Sequence, residues 1–281
     1  MNKRPFILDA CTLINIFRID EDEILYNHLQ SYNIKIAEIV LDEVKKNIFK
    51  NGWLKEINDR IDRSLPYLML CVKNNDEIVS NIKAENCDEI KEFTHHYKSD
   101  GEYYSLLLSL YLSRDEMTHI NLYTDDKPAT DQFREYFMFQ QLGLLGDSID
   151  LILYMFCHSD SDRFSENNIK RFLENLKSEY NIKERKFVTN IEEYRSKISN
   201  SKYNNDIIKV LDGIIYNYHN GNYEKMYKAI EDLGRFQKKK ELRQIIRKYR
   251  PEPSSLYIVN KINMILSTMT KYKGDFYKLK H

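Results

Sequence analysis

Six carboxylates in the first half of the chain fall where a fold could gather them. Asp9 ends an apolar run that begins at Arg4, and Glu43 stands just past a second run, Ile34 to Val40. Asp100 and Glu102 open the apolar segment Tyr103 to Leu112, and Asp125 and Asp126 end a third run, His119 to Tyr123. Carboxylates held a few ångströms apart repel and raise one another's pKa. A hard divalent cation relieves that repulsion, and Mg²⁺ or Mn²⁺ suits an all-oxygen ligand set. Cations held this way orient a water for in-line attack, polarise a scissile phosphate and offset charge on the leaving oxygen. Such chemistry needs no side-chain nucleophile.

Elements must bring these acids to one place. The run ending at Asp9 reads as a strand, with Thr12 able to cap the amphipathic Leu13, Ile14, Ile16, Phe17 pattern that follows. Ile34 to Val40 is a second strand candidate, and helical spacing resumes from Leu41 to Lys55. Glu56 to Tyr97 reads as mostly helical and polar, and Ser99 or Asp100 caps the next helix. His119 to Tyr123 is a third strand, Ala129 to Gln141 a helix and Gly143 to Leu145 a last strand. Strands alternating with helices imply a parallel α/β sheet flanked by helices. Ligands bind such sheets at the carboxyl ends of the strands, where these acids arrive.

Composition narrows the class. The 281 residues are 42% hydrophobic and 31% charged with only 8 Gly and 5 Pro, which excludes collagenous, low-complexity and wholly disordered chains. No apolar run approaches the roughly 20 residues of a membrane span. The N-terminal apolar stretch Pro5 to Leu8 is too short for a signal-peptide core. The expectation is a cytoplasmic protein without membrane contact. Cys11, Cys71, Cys87 and Cys157 lie far apart, so neither a zinc site nor a disulfide framework is signalled. No Walker-type glycine-rich loop is present to hold a nucleotide.

The segments FILDACTLINIF (Phe6 to Phe17), VLDEVKKNI (Val40 to Ile48), SDGEYYSLLLSLYL (Ser99 to Leu112) and NLYTDDKPATDQF (Asn121 to Phe133) resemble, in order and spacing, the motifs of the PIN-domain ribonucleases. LGLLGDSIDLILYM (Leu142 to Met155) is similar to that family's closing strand and helix. The resemblance covers about residues 4 to 157. It implies a PIN-like, flavodoxin-like α/β/α domain that cleaves RNA phosphodiester bonds with divalent metal. It also implies that Asp9, Glu43, Glu102 and Asp125 are the metal-binding, catalytic set, with Asp126 auxiliary and Asp100 competing with Glu102 for the third position. Thr12 and Thr124 resemble the family's supporting hydroxyl residues. His95 and His96, on a polar helix, are left outside the site.

A polar stretch, His158 to Asn168, marks a boundary between an α/β domain at 1–157 and an all-α part at 158–281. Residues 1 to 159 carry 17 basic and 27 acidic side chains, so the acidic first part faces a basic second part within a neutral chain. Lys238, Lys239, Lys240, Arg243 and Arg247 lie in one helical stretch opposite Leu242, Ile245 and Ile246. A solvated face and an RNA-backbone contact are both open there. The expected function is a metal-dependent endoribonuclease, serving as a toxin, a defence effector or an RNA-maturation enzyme. The alternative is a PIN-like scaffold that binds RNA or protein with little catalysis. Expected partners are RNA, a regulator or antitoxin protein, and a second copy of the chain.

Overall fold

The computed structural model describes residues 4–50, 55–82, 84–158, 164–198, 204–236, 238–251 and 253–271. Pro5–Leu8 (β1), Asn33–Ala37 (β2), Val72–Lys73 (β3), Ile120–Tyr123 (β4) and Gly143–Gly146 (β5) form one sheet in the order β3-β2-β1-β4-β5. Every pairing is parallel. β1 is the central strand with β4 beside it, and every residue of both is buried. Continuous apolar runs such as Phe6-Ile7-Leu8 are what a strand covered on both faces requires.

Helices connect the strands: Ala10–Ile19 (α1) and Ile24–Leu29 (α2) follow β1, and Glu38–Lys50 (α3) and Lys55–Cys71 (α4) follow β2. Asn75–Ile82 (α5), Ala84–Thr94 (α6) and Gly101–Asp115 (α7) follow β3; Lys127–Phe139 (α8) and Ser148–Cys157 (α9) flank β5. The second strand is shorter than expected, because Glu38 already lies in the first turn of α3. An acid there suits the positive end of the helix. Val40, Leu41 and Val44 then bury themselves from one helical face.

β5 begins with Gly143 at φ +136°, where an added Cβ would collide with the backbone of Ile120. Only glycine admits the close approach of β5 to β4 at that point.

Backbone contacts divide the chain into one unit of 1–176 with 268–281, and a second of 177–267. The division falls within Glu166–Lys197 (α10), well beyond the polar stretch at which the sequence suggests a boundary. That helix runs unbroken over residues 177–197 into the second unit, which also contains Asn205–His219 (α11), Tyr223–Asp232 (α12), Lys240–Tyr249 (α13) and most of Pro253–Lys271 (α14). Its core includes Phe187, Ile191, Leu211, Met226, Ile230 and Leu242. Gly221, at φ +69°, turns the chain between α11 and α12. Among the described residues, no helix is long and apolar enough to cross a membrane.

Candidate metal centre

β1 and β4 pair so that Leu8 lies opposite Tyr123, which sets the residues after each strand side by side. From β1 the chain builds outward to β2 and β3, then returns to β4 on the other flank of β1. The carboxyl ends of β1 and β4 therefore border the point where strand order reverses, the usual ligand crevice of an open parallel sheet.

Asp9 is the first residue beyond β1 and only 1% exposed. Its amide donates to the Tyr123 carbonyl at 3.1 Å, continuing the ladder by one bond. Oδ2 accepts from the Cys11 thiol at 2.8 Å and the Thr124 hydroxyl at 3.0 Å. Oδ1 is buried and accepts nothing. Burial raises the Asp9 pKa against the pull of the Cys11 thiol, the Ala10 amide and the Thr124 hydroxyl, and the charge of Asp125 adds to the rise.

Glu43 reaches the same place from α3. Its Oε1 accepts from the Gly101 amide at 3.2 Å. A Cβ on Gly101 would stand 2.6 Å from Glu43 Oε2 and 3.3 Å from Asp9 Oδ1, so the two carboxylates converge on the space a side chain would fill. Burial raises the Glu43 pKa, and Asp9 raises it further. Glu102, in the first turn of α7, is pushed up to about 8 by burial and then by the charges of Asp9, Asp100 and Glu43.

Asp100 and Glu102, alternatives from sequence, have different surroundings. Asp100 caps α7, accepting from the Tyr103 amide at 3.3 Å, and takes a 2.8 Å hydrogen bond from His96 Nε2. Burial works to raise its carboxyl, but hydrogen bonding and charge from His96 hold it below the ordinary range. Its charge has a partner, whereas that of Glu102 meets chiefly other acids. His96, set aside in the sequence, thus belongs to the outer part of this cluster, with Nδ1 on Gln132 Oε1 at 2.9 Å.

Asp125 lies just beyond β4 and is also buried. Oδ1 accepts from the Ser148 amide at 2.7 Å, while Oδ2 accepts from the Ser148 hydroxyl and the Asn15 side-chain amide. Asp126 caps α8, accepting from the Ala129 amide at 3.1 Å. Thr124 supports Asp9 directly, but Thr12 donates to the Tyr123 carbonyl at 3.1 Å. The residue between the strand ends is instead Cys11, which accepts from the Asp125 amide at 3.1 Å while donating to Asp9. Burial, then Asp9 and Asp125, push its thiol well above the ordinary value, so it remains a protonated donor.

Asn15, Ser148, Cys11 and His96 were not expected as members of the site. Asn15 sits amid the apolar Leu13 to Phe17 pattern, and a polar residue there was the available signal.

Among the described residues, no three His, Cys, Asp or Glu side chains are already placed to hold a metal ion. The donor chemistry nonetheless fits a hard cation: oxygen ligands, one of them buried and without a hydrogen bond, facing a second carboxylate across Gly101. Lys238 to Lys240, Arg243 and Arg247 lie in the second unit. Lys238, Lys240, Arg243 and Arg247 are exposed, and Lys239 Nζ donates to Asn204 Oδ1 at 2.9 Å. Set beside models of known protein families, curated proteins and solved structures, the chain matches none of them.

Proposed function

We propose that the protein is a divalent-metal-dependent endoribonuclease whose first unit is PIN-like. The observation that carries this is the buried, unbonded Oδ1 of Asp9, turned toward Glu43 across Gly101. A buried carboxylate oxygen left without a donor costs about 1–3 kcal/mol, more when charged, and needs a reason to be kept. A bound cation supplies one, and the same cation lowers the cost of ionising Glu102.

Asp9, Glu43 and Glu102 would hold Mg²⁺ or Mn²⁺, with the two glutamates contributing adaptable side chains. The bound ion supplies Lewis-acid activation of phosphate and water. The protein's own work is positional. Cys11 and Thr124 fix one oxygen of Asp9, the Gly101 amide fixes one oxygen of Glu43, and His96 keeps Asp100 at the α7 cap. Basic residues of α13 and its approach offer contacts for a phosphate backbone. Lys239 and Lys240 stand at the N-terminal end of that helix, where the dipole disfavours cations and an anion would relieve them.

The test is incubation of purified protein with total RNA, with and without Mn²⁺, followed by sequencing of the new ends. Metal-dependent new ends that vanish in Asp9→Asn support the proposal; their absence from the wild type sinks it. A second reading, an RNA- or protein-binding scaffold with little catalysis, is favoured by the lack, among the described residues, of three ligand groups already closed around a point. RNA binding without metal-dependent cleavage would establish it.

A further inference from the structure

Asp9 and Asp125 lie one and two residues beyond the ends of the neighbouring strands β1 and β4, and their carboxylates are satisfied differently. Asp9 keeps one buried oxygen free of hydrogen bonds. Asp125 has both oxygens engaged, by the Ser148 amide on one and by the Ser148 hydroxyl and Asn15 on the other. Both clamping side chains are buried, Ser148 fully. A carboxylate accepts at about four lone-pair sites, and three of those of Asp125 are taken. An ion approaching it would compete with donors that have no exit to water.

The clamp leads inward. With its carboxylate fixed, Asp125 places its amide on Cys11 Sγ at 3.1 Å, and the Cys11 thiol donates to Oδ2 of Asp9 at 2.8 Å. Pinning Oδ2 is what leaves Oδ1 directed at Gly101 and Glu43.

We propose that a single cation is held between Asp9 and Glu43, and that Asp125 is a positioning residue, clamped by Asn15 and Ser148, that acts on Asp9 through Cys11. This rests on the metal-dependent reading above and refines it: one ion per chain, with the fourth acid outside its ligands.

Mn²⁺ binding, followed by calorimetry and by the loss of the free-ion paramagnetic resonance signal, tests it without any activity assay. The wild type should saturate at one Mn²⁺ per chain. Asp9→Asn and Glu43→Gln should show no saturable binding over the same concentrations. Asp125→Asn should still saturate at one ion, about 10-fold more weakly, as expected for a residue supporting a ligand. Cys11→Ala should follow Asp125→Asn, while Cys11→Ser, which keeps a donor, should return to near wild-type affinity.

Two ions per wild-type chain, folded Asp125→Asn binding as poorly as Asp9→Asn, or Cys11→Ala binding like the wild type would each overturn the assignment while leaving the cation reading intact. If Asp125→Asn does not fold, the wild-type stoichiometry and the Cys11 pair decide. No Mn²⁺ bound by the wild type would overturn both.

Discussion

The Gly101 amide donates to Glu43 Oε1 at 3.2 Å, and a methyl group on the same glycine would stand 2.6 Å from Glu43 Oε2. Space for a carboxylate is the constraint on this glycine. Gly101→Ala should displace the flexible end of Glu43 and lower metal-dependent cleavage by about 10- to 100-fold. Because alanine is the better helix former by up to ~1 kcal/mol, the Tm should hold or rise. Cleavage assays beside thermal unfolding check the pair; unchanged cleavage would place Glu43 outside the site.

Asp9→Asn should abolish metal-dependent cleavage with the Tm unchanged or raised, since it removes a buried charge yet keeps an acceptor for Cys11 and Thr124. Asp125→Asn should differ. Its amide nitrogen must face donors from Ser148 or Asn15, so stability should fall by about 1–3 kcal/mol. Chemical denaturation of both variants measures the contrast.

Glu102→Gln should cost more cleavage than Asp100→Asn. The latter should instead weaken the α7 cap and its bond to His96, lowering stability by about 1 kcal/mol. The reverse ranking would make Asp100 the third ligand.

The raised pKa of Glu102 has a sign. Its ordinary value is 4.5 and its folded value about 8, so between those pH values the folded state holds a proton that the unfolded state has lost. Stability without metal should fall as pH rises through that window. His96 works in the same direction: its pKa is raised above 6.5 chiefly by the hydrogen bond to Asp100, and the stability it adds is present below 6.5 and lost as pH rises through its folded value. Tm measured from pH 5 to 8 in chelator should decline, and Glu102→Gln should flatten the decline. Mn²⁺ should flatten it too, with proton release on binding near pH 7.

Neutralising Lys238, Lys240, Arg243 and Arg247 to Gln should weaken RNA binding across sequences and reduce its salt dependence, since each lost phosphate contact removes about one unit of counterion release. Leu242 and Ile245 carry the packing of α13 into its unit's core, so the fold should persist. Affinity and salt slope both unchanged would make this a solvated face.

The strands that lead to Asp9 and Asp125 were legible because central parallel strands are apolar along their whole length, and Asp100 was legible as a cap. Val72–Lys73 escaped because two residues carry no periodicity. The end of the second strand was misplaced because Ile39 and Val40 favour strands locally, while burial on α3 decided their state. Within the site, the acids could be named but their roles could not. What separates Asp9 from Asp125 is a set of donors that the sheet assembles from distant positions, with Asn15 and Asp125 110 residues apart.

The pairing of β1 with β4 also governs when the site can exist. Thr124 and Asp9, 3.0 Å apart, are separated by 115 residues of chain. Loop closure over such a separation is slow relative to helix formation, and contacts of this range delay folding. During synthesis β1 leaves the ribosome long before β4, and so spends that interval without the neighbour that completes Asp9. The bond between Thr124 and Asp9 is therefore absent from a nascent chain and forms only after the fourth strand has been made.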